Sequence, residues 1–459
     1  MNIKPEKRLV AVVGLGYVGL SVAAVLARRG ARVFGIDRKE EIIASVNAGI
    51  CPIREPLLDD LLRRMVTLGK LSAHLDVGVI READTVILAV GTPLDLNYQP
   101  DTGQLMEAVD SISPFLRKGQ SIILKSTVPP GLTRKTAGYI EKKTALIPGI
   151  DLSVACCPER LAEGSMIGDI ESIPVIVGGL TPENTLEIEN FWSEMGWKTV
   201  MVSGPEEAEM SKLADNQWID LNIALANEIS MLCHRLGLDA MEVINAANTL
   251  PKGSSKVNIL FPGPGVGGSC LVKDPWFLQH LGRENGLTLS LPGAGRKINE
   301  SMPGYMVGII EESLDKKGQK LEGSEVAVLG LSFKNNTGDT RFSPSVPLIR
   351  LLWEGGAKVR VNDPWVGRQQ AAELVAGLAR VEQDIPSAVR GCHAVVIMVG
   401  HPEFLREAPY WKGLLGGSCL LLDCRNIFDP LEMTSAGIDY LAPGRRVPGD
   451  RSQKSGDRS

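Results

Sequence analysis

No stretch of this 459-residue sequence holds the roughly 18 consecutive apolar residues that a membrane-crossing helix needs. The N-terminus, "MNIKPEKR", runs straight into an apolar segment and lacks the layout of a secretory signal. The eight cysteines include no C-x-x-C and no pair at zinc-ligand spacing, and adjacent Cys156 and Cys157 are badly placed to bridge each other. The five histidines, at positions 74, 234, 280, 393 and 401, form no H-E-x-x-H or similar set, so no metal centre is expected. Positive charge is not in excess either: the net charge is −5, with no basic stripe of the kind that nucleic acid requires. These absences predict a cytoplasmic chain with reduced thiols, no membrane and no nucleic-acid partner.

What is present suits large globular domains. Apolar residues make up 44% of the chain, and its length predicts two or three domains. Residues 9–13 form a continuous apolar run, as a strand buried on both faces does. Gly14-Leu15-Gly16-Tyr17-Val18-Gly19 follows, then a helical pattern to about Arg29, then a strand from Val33 to Ile36 closed by Asp37. Further short strands are predicted at 85–90, 121–127, 152–158 and 174–179, with a helical pattern around 103–117. This alternation predicts a parallel sheet with helices on both faces. From Pro205 to Gly237 the chain has no internal proline or glycine and keeps helical spacing, so one long helix is predicted. Such a helix joins domains, builds a dimer interface or crosses the core of one large domain. A second doubly wound unit begins at "EVAVLGLSFKNNTGDTR" and continues through 358–364, 394–400 and 419–426. The polar tail "GRRVPGDRSQKSGDRS" is predicted to be disordered.

A lone G-x-G-x-x-G is a weak signal. Here it follows a strand, opens a helix and precedes an acid at the end of the next strand, which is the dinucleotide fingerprint. Asp37 would accept from both ribose hydroxyls and repel a 2′-phosphate, which favours NAD over NADP; Arg38 beside it points the other way. Thr92 in "GTP" and Thr127 in "STVPPG" end two strands, where ligands of such sheets sit, although both residue types also serve in ordinary turns. Glu159 and Glu163 follow another strand end and are either bases towards a water or solvated surface acids. Lys212 and Asn216, four apart on the long helix, would polarise a substrate oxygen together; spacing alone favours an ordinary exposed face. In "FPGPGVGGSCLVKDPWF", Cys270 sits between glycines and the charges of Lys273 and Asp274. A nearby ammonium enriches the thiolate, so Cys270 reads as a nucleophile, whereas Cys233 among apolar helix residues reads as core.

With these residues in view, the chain resembles the nucleotide-sugar 6-dehydrogenases, the UDP-glucose and UDP-N-acetylmannosamine dehydrogenase family, from about residue 8 to 440. The motifs "GLGYVGL", "GTP", "STVPPG", "PERLAEG", "SKLADNQ", "GPGVGGSCLVKDPWF", "SFKNNTGDTRFSPS" and "DCRN" carry the likeness in the family's order. The resemblance implies an α/β chain with two Rossmann-like doubly wound domains joined by a long central helix that dimerises. The expected boundaries are 1–204 for the NAD-binding domain, 205–315 for the helical domain with the cysteine loop, 316–443 for the UDP-sugar domain and 444–459 for the tail. It implies a homodimer that oxidises the C6 hydroxyl of a UDP-sugar to a carboxylate with two NAD⁺.

The same resemblance implies roles residue by residue. Cys270 is similar to the family's nucleophile, Lys212 and Asn216 to its alkoxide and oxyanion stabilisers, and Asp274 to the acid that works with Lys212. Glu159 is similar to the carboxylate linked to thioester hydrolysis, and Thr127 to a threonine near the reacting carbon. The cofactor set it implies is Gly14, Gly16, Tyr17, Val18, Gly19, Asp37, Arg38, Thr92, Thr127, Lys273 and Arg341. For the substrate it implies Glu159, Arg160, Leu161, Glu163, Lys212, Asn216, Lys256, Gly263, Gly265, Gly267, Lys334 and Arg425. "PER", the long "FPGPGVGG" and "DPWF" resemble the N-acetylhexosamine branch, while Ser269 and Lys273 resemble the glucose branch. The favoured substrate is UDP-N-acetyl-D-mannosamine, ahead of UDP-N-acetylglucosamine and UDP-glucose.

Overall fold

The structure is a computed structural model and describes residues 8–445 except 96–97, 162–163, 251–257, 408–409 and 416–418. Glu163, Lys256 and the tail from 446 onward therefore lie outside the described residues. The chain divides into two compact units, Met1–Asp215 with Trp276–Leu287, and Asn216–Pro275 with Thr288–Ser459.

The first unit carries β1 (Leu9–Val13), β2 (Arg32–Ile36), β3 (Leu71–His74), β4 (Thr85–Leu88), β5 (Ser121–Leu124), β6 (Ser153–Cys156), β7 (Val175–Gly179) and β8 (Thr199–Met201). They form one sheet in the order β3-β2-β1-β4-β5-β6-β7-β8. The order reverses between β1 and β4, the switch point where doubly wound sheets bind ligands. Side chains alternate across β1. Val10 and Val12 join a core with Leu20 and Leu26 of helix α1 (Tyr17–Arg28), while Ala11 and Val13 join the opposite core with Val86 and Ile122.

One expectation is corrected here. β7 pairs with β6 antiparallel, not parallel. The connection between them holds a loop and a short helix of seven residues, Met166–Ser172. A return to the strands' amino ends is usually made by a full helix packed along the sheet, which this seven-residue helix does not supply. The chain instead re-enters from the carboxyl end, and β8 then runs parallel to β7.

The second unit repeats the pattern with β9 (Glu325–Leu329), β10 (Lys358–Asn362), β11 (Arg380–Val381), β12 (Ala394–Ile397), β13 (Leu420–Asp423) and β14 (Asp439–Leu441). All neighbours are parallel, in the order β11-β10-β9-β12-β13-β14. Val326 and Val328 face one core, Ala327 and Leu329 the other.

Three helices matter for the site: α2 (Pro205–Leu236), α3 (Asp274–Glu284) and α4 (Leu291–Lys316). The division between units falls inside α2, after Asp215, and inside α3, after Pro275. Among the described residues, no helix is long and apolar enough to cross a membrane.

Candidate active site

In the first unit, the turn after β1 is built for a dinucleotide. Gly14 has φ of +92°, and a Cβ there would stand 2.8 Å from the Ala89 carbonyl oxygen. A Cβ on Gly19 would meet the Gly14 carbonyl oxygen at 1.8 Å, so only glycine lets α1 start this close to the turn. Gly16 differs: among the described residues, nothing lies within 4 Å of its Cβ position. That open approach, at a helix start flanked by Tyr17 and Val18, fits a pyrophosphate. At the end of β2, Asp37 Oδ2 accepts from Leu15 N at 2.9 Å and Oδ1 from Lys39 N at 3.1 Å. Each oxygen keeps a lone pair for a ribose hydroxyl. The exposed Arg38 points instead towards Glu107, 3.7 Å away. Asp37→Asn is expected to raise the KM for NAD⁺ roughly 10-fold or more, since two ribose hydrogen bonds to a charged group weaken. Initial-rate kinetics with NAD⁺ and NADP⁺ check this.

The second unit has the same strand-Gly-Leu turn with a different outcome. Gly330 N donates to Asn362 O at 2.9 Å, as Gly14 N does to Ile36 O at 2.8 Å. Asp363 Oδ2 accepts from Leu331 N and Ser332 N, as Asp37 accepts from Leu15 N. Asp363, however, is buried with His401 3.4 Å away and Ser332 bonded to the same imidazole. Its carboxylate has no face left for a ribose, so the open fingerprint belongs to the first unit.

Two more sequence candidates meet in the first unit. Thr92 Oγ1 donates to the Thr127 carbonyl at 2.5 Å, tying the loops after β4 and β5 together. Glu159 is buried, not a surface acid. Arg160 is half-buried, donates to the Pro174 carbonyl and lies 3.6 Å from Asp215; Leu161 packs against the core. Glu55, which sequence reading missed, accepts from Gly164 N and Met166 N and so holds this loop.

In the second unit, the glycine-rich loop is threaded through protein. Pro303 inside α4 lacks the N–H that the Asn299 carbonyl would otherwise accept. Gly265 packs against that freed carbonyl, where a Cβ would come within 2.8 Å, and its φ is +114°. Gly267 passes between Phe333 and the Phe342 carbonyl with contacts equally close. Both glycines are buried, and their missing side chains make room for protein. Gly263 is buried too, its N–H donating to Asn227 Oδ1, with the Arg425 guanidinium 3.0 Å from its Cβ position.

At the loop's end, Cys270 is exposed and its carbonyl accepts from Lys273 N and Asp274 N, starting α3. Asp274 is fully buried; Oδ1 takes the Lys273 ammonium at 2.6 Å and Oδ2 the Asn216 amide. Lys212 and Asn216 are 6% and 4% exposed, so the reading of an ordinary exposed face on α2 is wrong. The same helix buries Asp220, which bonds Arg296 at 2.8 Å and Asn299 at 2.9 Å, while Asn227 bonds Asn299. These groups tie the loop to α2 and α4. Their partners lie some 70 residues away in sequence, which spacing within one helix cannot signal.

Arg425 donates to the Met398 and Phe333 carbonyls. No carboxylate forms an ion pair with it among the described residues, and burial pushes its pKa down. Lys334 is half-buried nearby in sequence order after β9, and Arg341 is held by Asp339.

Comparison with known proteins accounts for this combination. Domain models of the UDP-glucose/GDP-mannose dehydrogenase family match in three parts: the NAD binding domain over residues 8–195, the central domain over 206–301 and the UDP binding domain over 327–430. The chain belongs to that family. It is an NAD-dependent dehydrogenase, and the fingerprint around Gly14 and Asp37 fits the cofactor. A UDP-N-acetyl-D-mannosamine dehydrogenase of Pyrococcus horikoshii is 35% identical over 91% of this chain and 95% of its own. A solved structure of such an enzyme from that organism matches with a TM-score of 0.84 at 34% identity, covering 95% of this chain and 99% of the other. A UDP-glucose dehydrogenase structure from Pyrobaculum islandicum reaches 0.84 at 29% identity, covering 96% and 98%.

Proposed function

We propose that this dehydrogenase carries a UDP-sugar C6 hydroxyl to the carboxylate, and that the sugar is N-acetyl-D-mannosamine. The observation that carries the reading is an exposed thiol, Cys270, beside the buried Asn216 and Asp274 and the half-buried Lys273. A single alcohol-to-aldehyde oxidation needs no nucleophile; going on to an acid does. NAD⁺, when bound, accepts hydride, two per sugar. Loss of the first from C6, with the hydroxyl proton passing to water, leaves an aldehyde, to which Cys270 Sγ adds as thiolate. The oxyanion of the resulting thiohemiacetal is steadied by Lys212 and Asn216. Loss of the second hydride from C6 leaves a thioester, and water, with Glu159 as base, releases the acid and returns the thiolate. Asp274 holds Asn216 and Lys273 ready for these steps. Thr127 completes the set at the reacting carbon.

Arg425 supports a diphosphate at the other end of the substrate. A half-buried guanidinium held by two carbonyls gains most from an anion that two of its N–H groups can grip. Lys334 adds charge there, and Arg341 serves the cofactor. For the sugar, the support is the naming of the P. horikoshii relatives together with "PER" and "DPWF". A homodimer is supported by α2, where Trp218, Leu225 and Leu232 recur every seven residues and remain 45–61% exposed. A cytoplasmic enzyme making uronic-acid donors for cell-envelope glycans is the setting that fits.

The deciding experiment compares turnover on UDP-N-acetylmannosamine, UDP-N-acetylglucosamine and UDP-glucose side by side. The expected result is a kcat/KM at least 10-fold higher for the mannosamine sugar, the scale at which one or two extra pocket contacts discriminate. A higher value for UDP-glucose would transfer the assignment to that sugar. Turnover of none, with binding retained, would point to a sensor.

A further inference from the structure

One buried charge in the first unit has no part in the roles above. Lys125 follows β5 directly and is 4% exposed. Burying an ammonium costs several kcal/mol, so its pairing has to be specific. It stands 2.9 Å from Glu159 Oε2, donates to the Cys157 carbonyl at 3.4 Å, and lies 5.3 Å from the centre of the Trp192 ring. Glu159 is fixed from the other side as well. Oε1 accepts the backbone N–H groups of Arg160 at 2.7 Å and Leu161 at 2.9 Å. Among the described residues, Oε2 has the ammonium beside it as an ion-pair partner and no hydrogen-bond partner. One oxygen is thus spent on the backbone and the other keeps its lone pairs. Lys125, Glu159, Arg160, Leu161 and Trp192 also line a cavity of about 20 Å³, room for one water.

We propose that Lys125 is the positioning residue of a water-activating pair: it holds Glu159 so that Oε2 takes the proton from the water that hydrolyses the thioester. This rests on the reading of Glu159 as the hydrolytic base. In that step the water oxygen bonds to the thioester carbon and the C–S bond breaks. One water proton goes to Glu159 Oε2 and the other stays on the carboxylic acid. Sulfur leaves as the Cys270 thiolate. Lys125 neither gains nor loses a proton.

Rapid-quench kinetics on full-length Lys125→Met, Lys125→Arg, Glu159→Gln and the double variant test this, with UDP-sugar and NAD⁺ in excess and intact mass as a second readout. For Lys125→Met the expected result is a full first-turnover burst of NADH, then a steady rate roughly 10- to 100-fold slower. Mass spectrometry should show the Cys270 acyl adduct accumulating, and Lys125→Arg should recover part of the rate. A merely structural lysine would instead lower the burst in proportion to misfolded sites and leave no adduct. Glu159→Gln alone should also accumulate adduct; wild-type hydrolysis in it would overturn the reading of Glu159 itself. Slow hydrolysis in Glu159→Gln with wild-type hydrolysis in Lys125→Met would overturn only the role of Lys125. The double variant decides even where Lys125→Met does not fold, because it leaves no uncompensated buried charge. Equality with Glu159→Gln supports a lysine acting through that carboxylate, and a further loss shows it acting on the substrate directly.

Discussion

Cys270→Ser forms acid on the order of 10⁴-fold more slowly than the wild type, the scale of loss when a covalent nucleophile is removed. A serine hydroxyl stays protonated near neutrality, and the described neighbours, a Lys–Asp pair and the Asn216 amide, are already bonded to one another. The substitution is nearly isosteric at an exposed position, so stability should change by no more than about 0.5 kcal/mol. Binding of NAD⁺ and of the UDP-sugar should persist, and a slow first oxidation can survive. Quench-flow with product analysis and a thermal melt check these points together. Undiminished acid formation would end the nucleophile's role.

The second large effect concerns Asp274. Asp274→Asn keeps the side chain's shape but removes its charge and turns one of two accepting oxygens into a donor. That donor would face either the Lys273 ammonium or the Asn216 amide, both of which already donate to it. The expected loss in kcat is roughly 10²- to 10³-fold, as when one preorganised oxyanion donor is displaced. Stability should fall by about 3 kcal/mol, at the low end for a broken buried pair because Lys273 keeps partial access to water. Kinetics and chemical denaturation measure the two effects separately. A kcat within threefold of wild type would remove Asp274 from the machinery.

These expectations show which features the sequence carries locally and which it does not. The bounds of α2 are legible because Pro205 and Gly237 bracket an unbroken helical pattern. The fingerprint is legible because every part of it lies within about thirty residues. Helix α4 is not, since Gly295, Pro303, Gly304 and Gly308 all argue against a helix; tertiary contacts through Arg296 and Asn299 hold it. The polar residues Lys212, Asn216, Asp220 and Asn227 look like a solvent face, and their burial depends on partners that no local pattern contains. Lys125 carried a usable signal: a charge within the apolar run "SIILKST", at the carboxyl end of a buried strand, demands a buried partner.

The central claim is that one active site takes an alcohol to an acid through Cys270. Counting NADH formed per UDP-sugar consumed, with the product identified by mass, tests it most directly. The account predicts two NADH per sugar and a UDP-uronic acid, with no free aldehyde released. One NADH per sugar and an aldehyde product would contradict it.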